Sequence, residues 1–279
     1  MSKYYDGKIK YLYKEYLQTN AGIESYNNFK KILYTTEDGL CTILCDKYIS
    51  GLNLGKTLTM CDIGGGDGNR TLKICNFIHT YFHSKIKLDF VEQSGLMCKK
   101  FKEKSVHLSA FCDINIIENS IEKVNLINKY DVVLFIHSIF SLKNFDAFQL
   151  IYNKLNEDGV IIVVTNGADS FLRRLKLRID EDYSDKRYEI DELTNNLTEN
   201  KIGFETSNFN TIWSLAKFEA ADKIKRILEW LSLGRFNTWG ASRKLNLIKH
   251  AKEMAVMKMG RYYFSEKEEI LIIRHKKIN

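Results

Sequence analysis

Two carboxylates and four closely set glycines are the residues in this chain whose types and spacing point to chemistry. The apolar run Leu58–Ile63 carries Asp62 near its end and is followed at once by Gly64, Gly65, Gly66 and Gly68; a second apolar run closes on Glu92. Glycine lets a chain turn tightly, with positive φ where needed, and leaves backbone open to a ligand. The helical pattern after the turn would add unpaired N–H groups at its start. An acid at the tip of the second strand of a βαβ unit is placed to accept from two ribose hydroxyls. Binding of a nucleoside is the chemistry these residues suit. The dinucleotide spacing G-x-G-x-x-G and a phosphate-binding Walker lysine are both missing, and D-x-G-G-G-x-G puts an acid ahead of the turn. Such a cradle favours a cationic ligand without phosphate over a pyrophosphate.

In this the residues resemble the class I methyltransferases that use S-adenosylmethionine (SAM), a nucleoside with a sulfonium and an ammonium. The elements needed to position them can be read on both sides. Residues 58–63 form a first strand, 69–83 a helix and 86–92 a second strand. After a helix over SGLMCKKFKEK, the run SVHLSAFCDINI reads as a third strand ending near Asp113. Either Asp113 or Asn115 then falls where such enzymes hold the adenine amino group. A fourth strand from Tyr130 runs towards Phe140, and its carboxyl end would flank the transfer centre, since ligands of open parallel sheets sit at that end. His137 is there a candidate substrate contact, or an ordinary hydrogen-bonded histidine. FDAFQLIYNKLNEDG reads as a helix closed by Gly159, VIIVVT as the fifth strand, residues from Phe204 as the sixth, and EEILIIRHK as the seventh, from near Glu269.

The predicted fold is α/β, a Rossmann-like seven-stranded mostly parallel sheet with helices on both faces and a helical cap insertion. Residues 1–57 would be a helical segment contributing to the substrate pocket, 58–216 the core, 217–262 the cap and 263–279 the last strand. Trp230 and Trp239 lie in the cap; aromatic side chains there would either close over a substrate or form the cap's own core.

At 279 residues, with 44% hydrophobic and 28% charged residues, the chain has the composition of a soluble globular protein with a full core. No apolar run reaches bilayer-spanning length, and the first residues lack the apolar core of a signal peptide. A cytoplasmic protein with no membrane partner is expected. Six cysteines sit mostly in apolar segments; Cys41 and Cys45 alone are close, without a histidine nearby, so buried thiols rather than a zinc site are expected. Basic residues exceed acidic ones by 42 to 35, but the lysines are spread along the whole chain, which makes nucleic acid an unlikely partner.

A narrower likeness joins these pieces. The block Phe29 to Glu37, the turn Ile63 to Gly68, Val91-Glu92 with Ser94, the Asp131 to Lys143 segment and the strand after Gly260-Arg-Tyr-Tyr-Phe264 together resemble the histamine N-methyltransferase family. The resemblance implies cofactor contacts at Gly64, Glu92, Met97, Asn115 and Ile136, beside Asp62, Gly66, Gly68 and Asp113 from the cradle itself. It implies that Glu37 binds the substrate amine. His137, at the end of the fourth strand, would assist binding or proton removal, and Trp213 and Trp239 would supply aromatic faces. His137 and Met97 stand where the family carries glutamine, which points to an amine other than histamine. The expected function is therefore metal-free methyl transfer from SAM, leaving S-adenosylhomocysteine (SAH), to a nitrogen of a small amine, by a monomer or homodimer. A larger natural-product, amino-acid or peptide acceptor is the alternative; RNA methylation and non-catalytic SAM binding stand further off.

Overall fold

The computed structural model describes residues 15–33, 37–52, 57–179 and 190–275. The chain divides into two compact units: Gly39–Thr165 with Arg187–Ser207 and Glu269–Asn279, here the sheet unit, and Met1–Asp38 with Asn166–Lys186 and Asn208–Glu268, here the helical unit. The strands are β1 Thr57–Ile63, β2 Lys85–Glu92, β3 Cys112–Glu118, β4 Tyr130–Ile136, β5 Leu155–Asn166, β6 Phe204–Ala216, β7 Val256–Lys258 and β8 Arg261–Arg274. They hydrogen-bond in the order β3-β2-β1-β4-β5-β8-β6, with β7 attached to β8. The pairs β1–β2, β1–β4, β2–β3 and β4–β5 are parallel, and β7–β8 is antiparallel. Chain order reverses between β1 and β4, so their carboxyl ends flank the crevice where such sheets bind ligands.

Sequence dictates this layering directly. In β1, β2 and β4 almost every residue past the first is buried, because helices cover both faces of a parallel sheet. The helices over it are α2 Glu37–Ile43, which runs on into a π-helical turn Leu44–Ile49, α3 Asn69–Phe82, α4 Gly95–Lys104, α5 Phe145–Tyr152 and α7 Ile190–Glu199. Helix α3 buries Leu72, Ile74, Cys75 and Ile78 at helical spacing and stops at His83, a left-handed residue with φ 52°. Each such side chain contributes roughly 1.5–3 kcal/mol of burial. All six cysteines are free and buried, and all lie in this unit.

In the helical unit the remaining helices are α1 Asn20–Leu33, α6 Phe171–Ile179, α8 Ala220–Leu231 and α9 Ala241–Glu253. Trp213, Leu215 and Phe264, from β6 and β8, form one core with Phe171, Leu175, Ile224 and Ile227. Trp230 is core as well: Tyr16, Tyr26 and Phe29 surround its ring at 6.4, 4.9 and 5.8 Å. Glu266 is buried, accepting from Asn166 Nδ2 at 2.7 Å and from the Leu172 amide, in the first turn of α6, at 3.2 Å.

Several boundaries differ from the sequence reading. Ser105–Ala110 is a 3₁₀ extension of α4, so the third strand begins at Cys112 and ends at Glu118, not near Asp113. Helix α5 ends at Tyr152, and the LNEDG expected to close it opens β5. The last strand starts at Arg261 rather than near Glu269, and the expected helical cap contains the short strand β7. Residues 166–186 and 208–216 group with the N-terminal segment and the cap, because the Trp213 face of β6 is packed on α6 and α8.

Candidate functional site

The site is built at the carboxyl ends of β1, β2, β3 and β4 in the sheet unit. Glu92 ends β2 and is 6% exposed. Its Oε2 accepts from the Gly66 amide at 3.0 Å and its Oε1 from the Ser94 amide at 2.8 Å, tying the glycine turn to the next helix. Ser94 in turn caps α4, its Oγ accepting from the Met97 amide at 3.4 Å, while Met97 itself is buried. Burial pushes the Glu92 carboxyl above its ordinary range, against the pull of these backbone donors.

Asp62 anchors the same turn from inside. It is buried and accepts from the Thr71 hydroxyl on α3. Desolvation raises its carboxyl to about 6; Thr71 opposes the rise and Glu92 adds to it. Two buried acids facing one turn, each held towards its neutral form, are an arrangement that donor groups or a positive charge would relieve.

The glycines are required first by packing. A Cβ on Gly68 (φ +74°) would lie 2.0 Å from Phe101 Cδ2, and one on Gly64 (φ +70°) 2.6 Å from Ser138 Cβ. Phe101 stacks on Phe90 at 3.8 Å between centroids, so two packed rings form the wall behind the turn. Lys104, at the end of α4, clamps the far side: its Nζ meets Asp67 Oδ2 at 2.6 Å and Asn69 Oδ1 at 2.8 Å.

Beside the turn stands the end of β4. Ile136 is its last residue, and the Ser138 hydroxyl donates to the Ile63 carbonyl, locking β4 to β1. His137 between them has φ 55°, and its amide bonds the Val164 carbonyl at 2.8 Å. A non-glycine residue held left-handed carries backbone strain, and such strain collects at functional sites.

The structure thus brings together Asp62, Gly64, Gly66, Gly68, Glu92, Ile136 and His137, with Met97 one turn into α4. It does not bring Asp113 or Asn115 to them. In the parallel register Lys87 pairs with Asp113, Asp89 with Asn115 and Glu92 with Glu118, so Asp113 is the second residue of its strand and Asn115 lies mid-strand. The Asn115 amide donates to Asp89 Oδ1 at 2.7 Å, and Tyr130 and Asn128 meet the other oxygen of this buried acid. Glu118 and Asn119 take the vacated place at the strand end. Glu118 lies against Gly95, where a Cβ would fall 2.5 Å from its Oε1. Sequence reasoning passed over these two, although an apolar-polar alternation ending in Glu-Asn was the available signal.

Glu37 opens α2, but its side chain lies outside the described residues. Trp213, in the helical unit, is buried against Phe264 and Phe171 at 4.3 and 5.3 Å. Trp239 packs edge-on to Phe236 at 5.8 Å and carries the Arg243 guanidinium 4.3 Å from its ring centroid. Among the described residues no group of three His, Cys, Asp or Glu side chains could hold a metal ion.

No protein-family model matches the sequence, and no curated protein does. The fold is similar to that of several solved proteins, methyltransferases among them. The YcgJ protein of Bacillus subtilis is 14% identical, with a TM-score of 0.57 over 87% of this chain and 100% of that one. The plantazolicin methyltransferase BpumL, solved with SAH, is 11% identical at TM-score 0.52, covering 96% of this chain and 95% of its own. The StiE O-methyltransferase domain is 14% identical at TM-score 0.51, over 97% and 82%.

Proposed function

We propose that the chain is a SAM-dependent methyltransferase. The observation that carries this is the Glu92 carboxylate, buried at the tip of β2 and bonded to the amides of Gly66 and Ser94. Each of its oxygens keeps acceptor capacity for a ribose hydroxyl, whereas a pyrophosphate would be repelled by it and by Asp62. The raised Asp62 and Glu92 carboxyls fit a ligand that brings donors and positive charge. The likeness in fold to a methyltransferase solved with SAH agrees with this.

In this reading Glu92 takes the ribose, Glu118 and Asn119 flank the adenine, and Ile136 and His137 border the reacting methyl. SAM supplies an electrophilic methyl group, and the chain supplies position: an in-line approach of a neutral nucleophile needs alignment above all. We assign the acceptor as a small molecule whose nitrogen is methylated. Glu37 accepts a hydrogen bond from it, and His137 assists binding or removes the proton that an ammonium must lose before its lone pair can attack. A larger natural-product or peptide acceptor is the second reading, favoured by likeness to a plantazolicin methyltransferase and an O-methyltransferase. Calorimetric titration with SAM and SAH tests the cofactor. Mass-spectrometric screening of amines, alcohols and peptides for products heavier by one methyl separates the two acceptor readings; absence of any heat with SAM or SAH rejects the whole assignment.

A further inference from the structure

The end of the helical unit formed by β6, β7 and β8 carries apolar side chains for which the fold has no packing use. Phe218, just past β6, and Met259, in the β7–β8 turn, are each 86% exposed. The Lys217 amide bonds the Gly260 carbonyl at 2.9 Å, so the two tips adjoin. Behind them Ile212, Val256, Met259 and Tyr263 line an open depression of about 410 Å³. The turn has φ 48° at Met259 and 71° at Gly260, positions at which two-residue hairpins favour Asn-Gly or Gly-Gly. A methionine there is strained and gains nothing from burial.

Cations outnumber acids around this tip. Lys217, Lys258 and Arg261 are exposed. Of the nearby acids, Asp222 in the first turn of α8 is exposed, Glu219 is paired with Lys223 at 2.8 Å, Glu253 lies 3.7 Å from Lys249, and Glu266 and Glu268 are buried. Residues 208–268 hold twelve Lys and Arg against six Asp and Glu, most of the chain's net charge of +7.

We propose that this tip docks on an anionic lipid surface. Phe218 and Met259 enter the boundary between headgroups and acyl chains, while the cations meet lipid phosphates. A bilayer receives a protruding apolar point ringed by cations. An extended peptide would need a strand edge, and β7 offers three residues. The expectation of a protein without membrane contact rested on the lack of a spanning segment. No helix among the described residues is long and apolar enough to cross a membrane, which leaves surface docking open.

Sedimentation of the full chain with phosphatidylcholine vesicles, and with vesicles containing equal parts phosphatidylglycerol, tests this. Partition onto the anionic vesicles should be at least about tenfold higher and should fall at high salt. Phe218→Ser with Met259→Ser should lower it by about tenfold or more, with the melting temperature and SAM titration unchanged. Lys217→Glu with Lys258→Glu should erase the preference for anionic lipid. No partition, equal partition onto both vesicles, or partition that survives the serine pair overturns the proposal. So does a dimer, seen by light scattering, that the serine pair dissolves, since the patch would then join two copies of this chain.

Discussion

Glu92 joins two elements and leaves acceptor sites for a ligand, so its loss is felt twice. Glu92→Ala strands the amides of Gly66 and Ser94 and removes the ribose acceptor. At about 1.5–3 kcal/mol per hydrogen bond to a charged group, SAM affinity measured by calorimetry should fall about 30-fold or more. Asp62 gives a pH signature. Its carboxyl is raised from 3.8 to about 6, chiefly by desolvation, so its stabilising contribution is complete below pH 3.8 and lost as pH rises through 6. A cation bound beside it favours the ionised form, so SAM affinity should rise from pH 5 to pH 7, and Asp62→Asn should flatten that rise; an affinity that falls over this range contradicts a cationic ligand at the turn. At His137 the backbone and the side chain can be separated. His137→Gly relieves a left-handed residue and should hold or raise the melting temperature by an amount worth up to about 1 kcal/mol, while kcat drops at least about tenfold.

The elements differ in how far they could be read from sequence. The run of β1, the glycine turn, α3 and β2 was legible because buried parallel strands are continuous apolar runs and the turn residues sit between them. β3 was not. Cys112–Glu118 is the end strand of the sheet order, with Asp113 and Asn115 breaking its apolar run, and the more apolar SVHLSAF ahead of it drew the assignment. Asn115 could not be told from an adenine ligand without the register that pairs it with Asp89. In the same way β7 has no period to read in three exposed residues, Trp213 becomes a core residue only once α6 and α8 are seen to pack on it, and Trp230 only once Tyr26 and Phe29 of α1 are seen against its ring. Packing also predicts the cost of crowding the turn. Gly68→Ala drives a Cβ to within 2.0 Å of Phe101 at positive φ and should destabilise by about 2–4 kcal/mol in denaturant melts, with part of the loss recovered by Phe101→Leu.

Across the whole molecule the buried acids set the pH response. Glu266 in the helical unit is raised from 4.5 to about 7, first by desolvation and against the hydrogen bonds of Ser170, Leu172 and Asn166. Like that of Asp62, its contribution is full below its unfolded value and lost as pH rises through the folded one. Melting temperature should therefore decline between about pH 4.5 and 8, and the double variant Asp62→Asn, Glu266→Gln should show a shallower decline in calorimetric scans. The six cysteines give each molecule an internal clock as well. Every thiol is interior and every one belongs to the sheet unit. A chromogenic disulfide reagent added to the native protein can react only as fast as that unit opens, so its colour counts openings of the sheet unit with no contribution from the helical unit.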